Sequence, residues 1–525
     1  MDRKPTLLAS LIIVLLASAA DADLIDPSDP DLLYTGRWQA SNPSAPWAQA
    51  KGASLIARFE GTSLAITLTT GGSEYYRVII DGDVVASTKT TLPSGTSTTL
   101  ASGLPDAVHE IEIIKETDSG KATLTALTLD PGKALVAPLP RPPRRIAFYG
   151  DSNLAGYSLE SERNQGAASL QGSYNSYAGV TARMFDAEYH NISKSGATIV
   201  SLNSRFDRYD WDAPNPRWNF SLFSADVVVV NIGANDVGSP KSVIKNRYHS
   251  LLDDLRSQHG TSVPIVLYNA YGWDVNEPAN YTHEVVSERG DPNLTSAVFP
   301  WVFEQFHGCE TDHAGMADYL VNHLGAVMGW VAKPPDVLSG YGQGGDVANG
   351  SFEGVAPFGG WGWRYFDDPG VSRVFDPARA YHGSHFLRLS NGATSQQTNP
   401  SSNGEVREFS FFLRGASVGD EVDVTIDFRD QQAGAAISTP MTSHTETKVL
   451  TTVWTRHTMM ATAPTAPPNP VYASRLHFEA ASGDTVDIDA VMALPEPAQG
   501  LSLAAGLGLL AGLTRRRARE REPRA

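Results

Sequence analysis

Between residues 24 and 137, apolar side chains come in short β-branched runs divided by turn residues. Leu55-Ile56-Ala57-Arg58-Phe59, Leu64-Ala65-Ile66-Thr67-Leu68, Arg77-Val78-Ile79-Ile80 and Ile111-Glu112-Ile113-Ile114 are the clearest. With no helical recurrence among them, such runs predict a β-sandwich. Asp81-Gly82, between Val78-Ile79-Ile80 and Val84-Val85, predicts a hairpin turn. The prolines of Pro138-Leu139-Pro140-Arg141-Pro142-Pro143 then predict a stiff linker.

From 145 to 333 the rhythm changes. Arg145 to Tyr149, Asp226 to Ile232 and Pro264 to Tyr268 are near-continuous apolar runs that read as buried strands. Between the last two, Ile244, Tyr248, Leu251, Leu252 and Leu255 recur at helical spacing, and Gly260 stands where a helix would be capped. A further helix is expected from near Met316. Strands alternating with helices predict an α/β/α domain with a parallel sheet, whose active site lies at the C-terminal strand ends. Beyond the glycine-rich 339–345, residues 347–493 return to sandwich-like alternation in Phe386-Leu387-Arg388-Leu389, Val422 to Phe428 and Val486 to Asp489. No repeat covers several units. The expectation is a multidomain chain in which an α/β/α domain is flanked by two β-sandwiches.

The ends carry addresses rather than folds. Arg3 and Lys4, the apolar Leu7 to Leu16 and small residues to Ala22 are laid out as a secretory signal peptide over 1–22. At the other end, 494–525 holds Leu494-Pro495-Glu496-Pro497, an apolar run from Gly500 to Leu513, and five arginines from Arg515 to Arg521. The apolar run is shorter than the ~20 residues of a stable span, so membrane contact is expected only through this segment. It resembles a PEP-CTERM sorting signal, which implies a sorting enzyme as partner; a plain anchor is the other reading. Either places the folded part in a secreted or cell-surface setting. A formal net charge of -17 argues against nucleic acid or an anionic lipid surface. Cys309 is the one cysteine, so no intrachain disulfide can form.

Four blocks inside the α/β region carry candidate chemistry. Gly150-Asp151-Ser152 follows the first strand, where a serine is lifted toward substrate; a helix N-cap is the plainer explanation. Asn191 to Gly196 and Gly233-Ala234-Asn235-Asp236 supply a glycine and an asparagine as donors for an oxyanion, beside the Ser152 N–H. Singly, each is as easily a turn glycine or an Asx-turn asparagine. The fourth block runs from His307 through Gly308, Cys309, Glu310, Thr311 and Asp312 to His313. Serine needs an adjacent base, and His313, in what reads as the last loop before the final helix, is chosen, with Glu310 and then Asp312 as its orienting acid. His307 as the base and a metal site built from this block were also weighed; the spacing fits no common metal motif. Trp211, Trp218 and Trp273 stand in loops that could line a cleft, Trp211 and Trp273 being the candidates for substrate contact.

Together these blocks resemble the SGNH (GDSL) hydrolase superfamily. Residue by residue, the resemblance implies Ser152 as nucleophile, Gly196 and Asn235 as oxyanion donors and His313 as base. With a β-sandwich in front, and with Ser176 to Arg183 and Gly308-Cys309 in support, the chain is most similar to carbohydrate esterase family 2. That implies a metal-free, cofactor-free deacetylase for an acetylated polysaccharide such as xylan. A histidine base near its ordinary pKa of ~6.5 would lose its function below about pH 6. The acid stays open between Glu310, Asp312 and a backbone carbonyl. Asn349-Gly350-Ser351-Phe352-Glu353 resembles the first strand of jelly-roll carbohydrate-binding modules, so Trp361, Trp363, Tyr365 and Phe366 either stack on sugars or fill the core. The competing functions are a lipase for small acyl esters and a polysaccharide binder on an inactive scaffold.

Overall fold

The computed structural model describes residues 22–494 apart from 72–73, 85, 162–165, 237, 269–279, 298–306, 334–346, 348–349, 353–362, 364–368, 403, 431–441 and 466–470. Trp273, Trp361, Tyr365, Phe366 and both terminal addresses lie outside the described residues. Among the described residues, no helix is long and apolar enough to cross a membrane.

The N-terminal region forms two antiparallel sheets, of five and six strands, between Asp23 and Val136. The expected runs are strands Ser54–Gly61, Leu64–Thr70, Tyr75–Ile80 and Ala107–Lys115. Alternate residues such as Leu55, Ala57 and Phe59 point into a shared core with Leu64, Ile66, Ile111 and Leu124. Asp81 and Gly82 both adopt positive φ, 52° and 70°, as the turn chemistry requires. The returning strand is Thr88–Thr91, however, not Val84-Val85, because Val78 pairs with Thr88.

The central region is a five-stranded parallel sheet: β1 (Arg144–Gly150), β2 (Ala187–Ser193), β3 (Val227–Asn231), β4 (Ile265–Tyr268) and β5 (Leu294–Ala297), in the order β2-β1-β3-β4-β5. Among the described residues, five α-helices accompany it: α1 (Tyr177–Phe185), α2 (Ile199–Asn203), α3 (Lys241–His259), α4 (Asn280–Arg289) and α5 (Glu310–Met328). One buried cluster joins Val228, Val230 and Leu267 to Ile244, Tyr248 and Leu251 of α3. A second joins Phe148, Val227 and Val229 to Tyr177 of α1 and Leu320 of α5. Both faces of the sheet are therefore covered, which explains why its strands read as continuous apolar runs. At the end of α3, Gly260 donates its N–H to the Arg256 carbonyl at φ 91°.

The final helix departs from expectation. It starts at Glu310, six residues before Met316, so His313 belongs to its first turn rather than to the preceding loop. Glu310 is a first-turn acid, a residue type common at the start of a helix.

Between Val371 and Leu494, nine strands form antiparallel sheets of five and four strands around Leu387, Phe409, Val424, Phe478 and Ile488. Trp363 is buried in that core and packs on Phe352 and Phe478, so it fills the interior and offers no face to a sugar.

The N-terminal sheets are joined to the central domain by buried charge. Arg77 pairs with Glu116 of its own domain at 2.6 Å and with Glu160 across the boundary at 2.8 Å. Lys89 makes a second ion pair with Glu160 at 2.8 Å. Arg37, 2% exposed, donates to the Phe206 and Arg208 carbonyls. Burying these cations is tolerable because each meets an acceptor.

Candidate active site

The site is assembled at the C-terminal ends of β2, β1 and β3, three neighbours in the sheet. Gly150 ends β1 between Ser193 and Asn231, its parallel partners. A Cβ at Gly150 would lie 2.4 Å from the Asn231 carbonyl oxygen, so only glycine lets the strands close here. Ser152 comes two residues later in a series of tight turns, in which the Ala155 and Tyr157 N–H groups return to the Asp151 and Ser152 carbonyls. The next full helix, α1, waits until Tyr177.

Asp151 is fully buried and accepts the backbone N–H of Asn153 at 3.0 Å; burial nevertheless pushes its carboxyl up to about 7. Asn191 Nδ2, on β2, donates to the Leu154 carbonyl of the nucleophile loop at 3.1 Å. From the loop after β3, Asn235 Nδ2 donates to the Ala197 carbonyl at 2.9 Å, and Asp236 Oδ2 accepts the Ile199 N–H at 2.9 Å. Arg247 holds the other Asp236 oxygen at 2.7 Å. The three blocks containing Ser152, Gly196 and Asn235 are thus stitched together by their own side chains. Among the described residues, the Ser152 and Gly196 backbone N–H groups donate to no acceptor. Asn235 keeps a second amide hydrogen beyond its bond to Ala197.

The imidazole at the serine belongs to His307. Its Nε2 lies 2.8 Å from Ser152 Oγ, with both residues largely buried. Its ring packs against Tyr157, 4.6 Å between centroids. Burial lowers its pKa to about 4, so it is neutral at pH 7.

His313, chosen from sequence as the base, is placed otherwise. Its Nδ1 accepts the Tyr177 N–H at 3.1 Å, its ring lies 5.8 Å from that of Tyr177, and burial lowers its pKa to about 3. It locks the first turn of α5 to the first turn of α1. Glu310 is bonded to neither histidine: Oε1 accepts from Asn175 Nδ2 at 2.8 Å. Burial, with the Glu160 carboxylate nearby, pushes Glu310 up to about 8, and a protonated carboxyl is a poor partner for an imidazolium. Trp211 is half-buried; its backbone N–H donates to Gln49 of the N-terminal domain, and its ring faces Arg205 at 5.8 Å. Trp218 is buried in the core.

Sequence models of known families match this arrangement. Residues 34–140 match the carbohydrate esterase 2 N-terminal family, and residues 148–293 match the GDSL-like lipase/acylhydrolase family. The chain joins a carbohydrate esterase family 2 N-terminal domain to a GDSL-type hydrolase domain. It is 28% identical over 341 residues to the cellulase/esterase CelE of Acetivibrio thermocellus, matching 59% of this chain and 41% of that protein, so the chain spans less than half of the relative's length. A family 2 carbohydrate esterase from Clostridium thermocellum, solved with cellohexaose, is 25% identical with a TM-score of 0.52, covering 57% of this chain and all of that one. A family 2 esterase from Cellvibrio japonicus, 22% identical with a TM-score of 0.54 over 59% of this chain and 99% of that one, shares the fold.

Sequence reasoning passed over Asp236 and Asn175. Asp236 stands beside Asn235 in the quoted block but was given no part. Nothing local marks Asn175, because its partner Glu310 is 135 residues away.

Proposed function

We propose that the protein is a carbohydrate esterase that removes small acyl groups, acetyl above all, from a polysaccharide through a Ser152 acyl-enzyme. The observation that carries this reading is the 2.8 Å contact between His307 Nε2 and Ser152 Oγ, a nucleophile already in reach of a neutral base. In the first step Nε2 takes the hydroxyl proton as Oγ attacks the ester carbonyl. The tetrahedral oxyanion is met by the Ser152 and Gly196 N–H groups and by Asn235 Nδ2. The imidazolium then returns its proton to the departing sugar oxygen. Water, deprotonated by the same imidazole, releases the acid and restores the serine. Three neutral donors suit this chemistry because they stabilise charge only as it develops.

The polysaccharide class is supported by the cellohexaose bound to the Clostridium thermocellum relative, and an acetyl group by the resemblance to family 2. Trp211, half-buried where the two domains meet, is proposed to contact the glycan. The basic, apolar start of the sequence supports export, and its Pro-Glu-Pro, apolar and arginine-rich end supports a sorting or anchoring step at the cell surface. The test is acetate release from acetylated xylan, acetylated glucomannan and a small aryl acetate by wild type and Ser152→Ala. Release by wild type alone is expected, and equal release by both would end the reading.

A further inference from the structure

The hydrolase domain holds the loop carrying Gly196 on its far side, through Ala197 and Ile199, and leaves its tip open. Gly196 is exposed at φ 80°, and a Cβ built there would meet nothing within 4 Å. Neighbouring residues are nevertheless tied down from outside the hydrolase domain. Asp118, in the loop after the strand Ala107–Lys115 of the N-terminal domain, accepts the Ser195 backbone N–H on Oδ2 at 2.9 Å. Its carbonyl accepts from Lys194 Nζ at 2.8 Å. The Asp118 N–H in turn donates to Gln171 Oε1 of the hydrolase domain at 3.4 Å. Burial opposes its charge, but the Lys51 ammonium and the Ser195 backbone N–H outweigh it and hold the carboxyl down at about 2. Lys51 also reaches the Ala155 carbonyl, three residues after Ser152.

We infer that Asp118 is a positioning residue for ester hydrolysis: from the N-terminal domain it fixes the Ser195–Gly196 backbone so that the Gly196 N–H is preorganised for the oxyanion. A charge-assisted bond to a backbone N–H is among the stronger anchors available to a loop. A donor that must reorganise during reaction loses much of its catalytic worth. The N-terminal sandwich is thereby part of the hydrolase site as well as a neighbour of it. The inference rests on the esterase reading for the role of Gly196.

The test compares wild type, Asp118→Ala, Asp118→Asn and Lys194→Met by turnover of an aryl acetate, thermal unfolding, and hydrogen exchange of a peptide spanning 193–199. Asp118→Ala is expected to lower kcat about 10- to 100-fold with KM within about threefold, and to raise exchange at least about tenfold. Asp118→Asn, which keeps an oxygen acceptor, should recover most of both. Lys194→Met should shift both in the same direction by less. Wild-type exchange and kcat in Asp118→Ala would overturn the inference. So would equal losses in the Ala and Asn variants that track a lowered unfolding midpoint. If wild type hydrolyses no ester while exchange still responds to Asp118→Ala, the esterase reading fails and the anchoring of the loop stands.

Discussion

His307 and Ser152 are 155 residues apart in sequence, yet Nε2 and Oγ lie 2.8 Å apart. The parallel sheet contributes to this: the loop after β1 carries Ser152 at the C-terminal end of the sheet, where His307, just before α5, meets it. The two histidines of the final block therefore have separable duties. His307→Ala is expected to cost at least about 10³-fold in kcat/KM with little change in fold. His313→Asn, whose Oδ1 can stand in for Nδ1 toward the Tyr177 N–H, should keep kcat/KM within about tenfold while costing about 1–3 kcal/mol of stability. Aryl acetate kinetics and thermal unfolding of the two variants check this, and the opposite ranking would restore His313 as the base.

Glu310 gives a sharper contrast. Its bond to Asn175 survives in Glu310→Gln, which also removes a carboxyl that burial and Glu160 disfavour in its charged form. The variant should fold at least as well as wild type and retain kcat within about threefold. An orienting acid would behave differently, since its amide replacement can cost ~10⁴ in kcat.

The pH profile follows from the sign of the His307 shift. The base must be neutral to accept a proton, and burial lowers its pKa to about 4. The acid limb of kcat/KM is therefore expected near pH 4 to 5, below the pH 6 that an unperturbed histidine would give. A limb at or above pH 6.5 in the free enzyme would show that this imidazole is better solvated or paired than its surroundings imply.

Gly150 is expected to be intolerant of any side chain. A methyl group there overlaps the Asn231 carbonyl at the point where β1 and β3 deliver their loops. Gly150→Ala should lower the unfolding midpoint, by an amount typical of overpacking, about 1–3 kcal/mol. It should also lower kcat more than KM, because Ser152 is two residues away. Steady-state kinetics beside a thermal melt separates the two effects.

Much of this was legible because the relevant signals are local. β-branched runs gave the N-terminal strands, the apolar runs β1, β3 and β4 gave the sheet, and Gly-Asp-Ser and Gly-Ala-Asn-Asp fall immediately after strands that the structure confirms. The structure places His307 rather than His313 at Ser152, and the sequence pointed to the other histidine because it set the start of α5 six residues late. With the boundary at Met316, His313 occupied the last loop; with helix from Glu310, that loop ends at Cys309 and His307 is its histidine. Glu310 in the first turn carried the missing signal, but it was read as chemistry instead of as the start of a helix. Glu310 stands three residues before His313, and Glu304 stands three before His307; Glu304 lies outside the described residues. Asp118 and Asn175 act on partners 77 and 135 residues away, and no spacing rule reaches that far.

Acylation of Ser152 tests the catalytic assignment most directly. Intact-protein and peptide mass spectrometry after brief exposure to an aryl acetate would follow a single acetyl group on the peptide containing Ser152. The adduct should form in wild type and His313→Asn, and be absent in Ser152→Ala and slowed at least about 10³-fold in His307→Ala. Acetylation of Ser152 at the wild-type rate without His307, or its loss only when His313 is changed, would contradict the assignment.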